Sequence, residues 1–379
     1  MFRISCFGII LCLLFGACTE APSPKTTPPP YRLIGYASDL IPRSSAKMLT
    51  HINFAFANVV DGQVIVEAKD SVRLAKMSRL RTFNPDLQIL LSIGGWSWSD
   101  GFSDAALTDS SRNIFARSAI RAINQFELDG IDIDWEYPAQ PGDNNPHRPE
   151  DTQNYTLLLQ TLRQYLDAQS HADQRSDRPY LLTVATAANQ RFLDLTEMDV
   201  AHQYLDFVNV MTYDFYGAWT PNTGHHSNLF PSDAAALVKR SAKQAIEEHL
   251  AAGIPKDKLV MGAAFYGRGW KGVEANNHGL HQPYGGEAFS AGYKDLLADW
   301  LSLRGTQTHW DSLAAAPYLW HPDSAIFVGY EDSVSMRLKA NFVRQEALGG
   351  IMFWHIRHDT AEISDFCESF HLSALEVVI

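Results

Sequence analysis

The chain has 379 residues, a formal net charge of −12, 46% hydrophobic residues and four cysteines. The excess of acid argues against nucleic acid or an anionic membrane surface as a partner and suits a neutral substrate. A folded region of about 350 residues is long enough to be held by its own core, without disulfides.

Met1-Phe2-Arg3 is followed by an apolar run over residues 4–15 and then Gly16-Ala17-Cys18. A short basic start, an apolar stretch too short to span a bilayer comfortably, and small residues at its end describe a secretory signal. Cys18 after Gly16-Ala17 resembles the bacterial lipoprotein cleavage box, although Phe15 stands where a Leu is usual. The expectation is removal of residues 1–17 and a lipid on Cys18, the alternatives being a soluble secreted product or a retained anchor. Cys6 and Cys12 would leave with the signal, and a lipidated Cys18 leaves Cys367 without a partner. Loss of one Arg with the signal takes the net charge from −12 to −13. Residues 18–30, rich in Pro, Ser and Thr, read as an extended tether, at ~3.1 Å per residue if polyproline II.

Apolar strand-like runs follow at 33–37, 52–57, 88–93, 131–135, 181–187, 207–211, 259–265 and 351–354, separated by helical patterns. Eight buried strands alternating with helices predict a (β/α)₈ TIM barrel over residues 31–379. The alternation stops after Tyr266 and resumes with a helix over 333–348. A structureless loop of that length is improbable inside a compact domain, so 267–330 reads as an inserted α+β subdomain.

The fourth of these runs, Leu128-Asp129-Gly130-Ile131-Asp132-Ile133-Asp134-Trp135-Glu136-Tyr137, places Asp132, Asp134 and Glu136 at i, i+2 and i+4. Strand side chains alternate faces, so the three carboxylates share one. A row of acids pointing into a core is destabilising unless protons are shared or the row ends at a solvated opening, a cost that signals function. Trp135 and Tyr137 are expected where the strand meets a cleft, with Gly130 allowing close approach at its start. Barrel sites lie at the C-terminal strand ends. Asp134 and Glu136, then Tyr213 and Asp214, Tyr266 and Arg268, and Trp354 all fall there, and Ser92-Ile93-Gly94-Gly95-Trp96 ends the third strand.

Together these segments resemble the family 18 glycoside hydrolases, the chitinase family. Asp129 to Glu136 carries the DxxDxDxE signature, Ser92 to Gly95 the SxGG segment, and Met211-Thr212-Tyr213-Asp214 the MxYD segment. YDFYGAWTPNTGHHS, residues 213–227, and the insertion after Tyr266-Gly267-Arg268 resemble the chitinase branch, and the likeness runs from about Tyr31 to Phe366.

The resemblance implies an exported chitinase that cleaves β-1,4-linked N-acetylglucosamine with retention, the substrate's own acetamide serving as nucleophile. Glu136 is then the general acid and base, Asp134 the acceptor of the acetamido N–H, Asp132 its proton-sharing partner, and Tyr213 the donor to the acetamido oxygen. Asp214 is expected to bind the same sugar, with Trp354 as its floor. Tyr266, Arg268, Gly95, Trp96 and Trp219 complete the substrate-binding set, Trp98 is a further subsite candidate, and Tyr36 and Phe56 are pocket walls or plain core. The alternatives are an endo-N-acetylglucosaminidase or cell-wall glycan hydrolase of the same family, and a non-catalytic chitin-binding lectin. Relatives of the first kind usually lack the insertion, and lectins on this barrel typically lose the acid that Glu136 supplies. Adjacent His225 and His226 are poorly placed to converge on one ion, so no metal and no cofactor are expected, and the chain is expected to act as a monomer.

Overall fold

The computed structural model describes residues 31–232 and 236–360. The signal, Cys18, the Pro-rich tether and Cys367 lie outside the described residues. Along the chain come β1 (Arg32–Ala37), β2 (His51–Val60), β3 (Gln63–Ile65), β4 (Gln88–Gly94), β5 (Gly130–Asp134), β6 (Leu181–Ala187), β7 (Phe207–Met211) and β8 (Leu259–Ala264). Then follow β9 (Tyr266–Lys271), β10 (Ala288–Gly292), β11 (Gln307–Asp311), β12 (Ala316–His321), β13 (Ile326–Gly329) and β14 (Gly350–Trp354). Strands β1, β2, β4, β5, β6, β7, β8 and β14 pair in parallel, and β1 closes the ring by bonding both β14 and β2. The expected (β/α)₈ barrel is thus present.

Both faces of a barrel strand are covered, one by the interior and one by helices, which is why these strands read as apolar runs. Every residue of β8 is buried. Among the surrounding helices, Asp109–Phe126 starts from a reciprocal Thr108/Ser111 capping box and Ser333–Glu346 from Asp332/Ser335. Each box satisfies N–H groups that have no partner inside the helix. The last of these helices ends at Glu346 rather than 348 because Ala347 turns left-handed.

Two other boundaries differ from expectation. β5 ends at Asp134, so Trp135 and Glu136 lie beyond the strand. β2 continues to Val60 and folds back on β3 through Asp61-Gly62, both at positive φ (49° and 70°), the dipeptide that two-residue hairpins favour.

The insertion is a five-stranded antiparallel sheet in the order β10-β9-β13-β12-β11. Its first strand begins at Tyr266, one residue before the expected boundary. Alternation gives the sheet two apolar faces. Leu319, Ile326 and Val328 pack with Tyr293 and Leu296 of the segment that follows β10, while Trp270, Tyr318, Trp320 and Phe327 join the main core.

At the opposite, N-terminal end of the barrel, Asp129 accepts from Arg175 (2.8 Å) and from the Ile89 N–H (2.9 Å) and pairs with Arg81. Burial alone would raise its carboxyl, but the two guanidiniums and the N–H hold it below the ordinary carboxylate value. The first acid of the signature is therefore a structural tie between strands and not part of the cleft. Asp129→Ala strands two partly buried cations and should cost about 3 kcal/mol in a urea titration, with kcat unchanged. A lowered folded-state value means this stabilisation is present at neutral pH and fades as pH falls through that value. A cost under about 0.5 kcal/mol, the range of an ordinary surface change, would contradict the assignment.

Candidate active site

The site is built outward from β5. Ile131 and Ile133 are fully buried against the helical layer, so Asp132 and Asp134 must point into the barrel. Gly130 opens the strand because a Cβ there would sit 2.3 Å from the Leu181 carbonyl oxygen. Trp135 belongs to the isoleucine face. It is 1% exposed, stacked on Phe102 at 5.2 Å, and takes no part in the cleft, contrary to expectation. Tyr137 does line the cleft.

Asp132 receives four donors. Tyr36 and Ser92 hydroxyls donate to Oδ2 (both 2.8 Å), and Thr183 Oγ1 (2.5 Å) and Asn209 Nδ2 (3.2 Å) donate to Oδ1. No hydrogen bond joins it to Asp134, so the expected shared proton is not seen in this arrangement. Asp134 instead keeps a buried Oδ1 with no partner. Burial raises the Asp132 carboxyl and its four donors oppose the rise. Burial, then the charges of Glu136 and Asp132, push Asp134 well above the ordinary value. Of the two, Asp134 is raised further, since no donor opposes the effect of its burial.

Glu136 is fixed through its backbone. Its N–H donates to Ser99 Oγ (2.8 Å) and its carbonyl accepts from Asn145 Nδ2 (3.0 Å). Burial raises its carboxyl to about 7, with Tyr137 acting the other way and the charge of Asp214 adding to the rise. Gly95, at φ 81°, donates its N–H to the Asp134 carbonyl (2.8 Å), and a Cβ on it would lie 2.6 Å from the Phe56 ring.

Tyr213 and Trp354 stand over the interior cluster of Tyr36, Ala55, Phe207 and Met352. Among the described residues the Tyr213 hydroxyl bonds only to the Met352 sulfur, at 3.9 Å, a weak acceptor, so its proton is available to a ligand. Trp354 ends β14 and lies 5.6 Å from Phe56, stacked, and 5.7 Å from Tyr36. Tyr36 and Phe56 are therefore walls of the cleft, and Tyr36 also holds Asp132.

Asp214 is clamped from the insertion. Tyr266 Oη (2.7 Å) and Arg268 Nε (2.9 Å) donate to Oδ1, and Arg268 Nη2 (2.7 Å) donates to Oδ2. Burial would raise this carboxyl, yet the Arg268 guanidinium, bonded to both of its oxygens, holds it well below the ordinary value. The same guanidinium sits 5.1 Å from the ring of Trp219, which is 60% exposed. Trp96, 50% exposed, lies 6.2 Å from Tyr137. These aromatics, with Trp98, line a cleft of about 1130 Å³ that also takes in Asn189, Arg240, Lys69, Arg73, Ser290 and His358.

Ser99, Asn145, Thr183 and Asn209 support the acids and were not anticipated, because each bonds across a gap of 9 to 77 residues. Asp70, which also lines the cleft, is paired with Arg73 at 2.8 Å. His225 turns to Asp311 (3.1 Å) while His226 turns to the Tyr266 carbonyl (3.2 Å), so the two rings do not converge. No cluster of three or more His, Cys, Asp or Glu among the described residues could hold a metal ion.

Residues 31–359 match the family model described as glycosyl hydrolases family 18. Chitinase A1 of Niallia circulans is 38% identical over 298 residues, covering 75% of this chain and 42% of that protein. Chitinase B of Serratia marcescens is 30% identical over 379 residues, covering 83% of this chain and 74% of that protein. The structure of a family 18 N-acetylglucosaminidase from Paenibacillus barengoltzii superposes with a TM-score of 0.85 at 39% identity, covering 92% of this chain and all of that one. A match of this extent, on a parallel barrel with a row of acids at the end of β5, means that the chain belongs to glycosyl hydrolase family 18.

Proposed function

We propose that this protein hydrolyses β-1,4-linked N-acetylglucosamine polymers or oligomers with retention, the acetamide of the reacting sugar serving as nucleophile. The observation that carries the reading is the graded row of acids: Asp132 saturated by four donors, Asp134 raised by burial and keeping an unpartnered Oδ1, and Glu136 at about 7 in the open cleft. The chitinases and the N-acetylglucosaminidase among its relatives support the choice of sugar.

Glu136 donates its proton to the glycosidic oxygen as the C1–O bond breaks. The acetamido carbonyl oxygen attacks C1 from the other face, closing an oxazolinium ring. Tyr213 donates to that oxygen beforehand and orients it. The free Oδ1 of Asp134 accepts the acetamido N–H, a hydrogen bond that strengthens as positive charge grows on that nitrogen. Ionised Glu136 then takes a proton from water, the water attacks C1, and the ring opens. Two inversions at C1 give net retention. None of the remaining cleft carboxylates suits attack on C1, since Asp214 is clamped by Arg268 and Tyr266 and Asp70 is paired with Arg73.

Because Glu136 must begin protonated, kcat/KM on N-acetylglucosamine oligomers should fall as pH rises through about 7, approaching about tenfold per pH unit. Product anomers read by NMR in the first minutes should be β. A rate flat across the alkaline range, or an α product, would contradict the reading. We also propose export with a lipid on Cys18, for which the run from Met1 to Cys18 is the support; an acyl group found on Cys18 of the isolated protein is the test.

A further inference from the structure

We propose that His226 is a positioning residue for Asp214, and that a proton taken up between the two rearranges the Asp214 clamp in acid. This rests on the reading of the cleft as a sugar site. His226 has a fully buried side chain, and its ring lies 5.0 Å from that of Tyr266. Its Nε2 is 3.2 Å from the Tyr266 carbonyl oxygen. A carbonyl only accepts, so Nε2 carries the proton and the neutral ring keeps a lone pair on Nδ1. That Nδ1 makes no hydrogen bond and lies 3.7 Å from Asp214 Oδ1. Two acceptors thus face each other in a buried space.

The charged and titratable groups around the ring come from three elements. Asp214 lies on the loop after β7, and Tyr266 and Arg268 lie on β9. Glu331 precedes the helix Ser333–Glu346, whose Lys339 pairs with it and donates to the Ser227 carbonyl (2.6 Å). Burial works against an imidazolium here, with Arg268 adding to that and Asp214 and Glu331 opposing it, and the balance lies below the ordinary histidine value. The ring is therefore neutral during neutral-pH turnover and gains its proton only in acid.

Once protonated, Nδ1–H donates to Asp214 Oδ1, which already accepts from Tyr266 Oη and Arg268 Nε. A charge-assisted bond outcompetes the neutral phenol. The Tyr266 hydroxyl is released, the charge of Asp214 is offset, and the carboxylate holds sugar hydroxyls less well. Acid therefore weakens substrate binding through His226, separately from anything it does to the general acid.

The test is KM and kcat on the N-acetylglucosamine hexamer from about pH 4.5 to 8 for wild type and His226→Gln. Glutamine can still donate to the Tyr266 carbonyl and cannot take up a charge. The wild-type KM should rise about fivefold as pH falls below the ordinary histidine range, the worth of one hydrogen bond, with kcat much less affected, while the KM of the variant stays flat. The same rise in the variant overturns the proposal. If His226→Gln does not fold, ¹⁵N-histidine NMR of the wild type and Asp214→Asn decides. One ring should be an Nε2–H tautomer at neutral pH, with a titration midpoint that drops in Asp214→Asn. No ring with that behaviour overturns the proposal. A wild type inert on all such oligomers would count against the sugar reading, and the NMR result would still stand for or against His226.

Discussion

Glu136→Gln is expected to lower kcat on N-acetylglucosamine oligomers by about 10² to 10⁴-fold while leaving oligomer binding in place. The amide keeps the size and planar shape of the carboxyl but has no proton to give the glycosidic oxygen. The backbone bonds that fix the residue, from its N–H to Ser99 and from Asn145 to its carbonyl, do not involve the side chain and survive. Binding should survive too, because Trp354, Trp96 and Trp219 supply the stacking surfaces. Loss of the alkaline limb of the pH profile should accompany the loss of rate. Turnover within a few-fold of wild type would remove Glu136 from the chemistry.

Asp134→Ala should reduce kcat by a similar factor, about 10² to 10³-fold, through a different step. Its unpartnered Oδ1 becomes useful as positive charge grows on the acetamido nitrogen. It should therefore matter more to the closed ring than to the resting sugar. A stable thiazoline mimic of the cyclised dimer should lose at least about tenfold more affinity than an intact oligomer does. The comparison guards against a general defect, since a misfolded cleft would weaken both ligands alike. Equal losses for mimic and oligomer would mean that Asp134 shapes the pocket without answering to the charge of the intermediate.

Much of this was open to reading in the chain because parallel barrel strands are buried on both faces and so announce themselves as apolar runs. β6 and β7 have the bounds expected of them, 181–187 and 207–211. The β2–β3 hairpin escaped notice because β3 is only three residues long, although Asp61-Gly62 was the available signal. The insertion was visible as an interruption of the pattern, but its strand order was not. β10 and β11 are edge strands with partly exposed residues, and edges carry little of the alternation that marks a core strand. Trp135 was misplaced although the period of two already put it on the face of Ile131 and Ile133. The acids themselves were plain, since charges in an apolar strand are conspicuous. Their supports were not. Ser99, Asn145, Thr183 and Asn209 are common polar residues whose meaning lies in contacts that only the closed barrel creates.

The central claim is that the nucleophile belongs to the sugar. It is tested most directly by giving the wild-type protein two oligomers that differ only in the reacting residue, N-acetylglucosamine in one and glucosamine in the other, and following cleavage together with the intact mass of the protein. The acetylated oligomer should be cut with no sugar attached to the protein at any time. The other should bind and remain whole, because a free amine has no carbonyl oxygen to attack C1. Efficient cleavage at the glucosamine, or a sugar ester trapped on any Asp or Glu, would contradict the account.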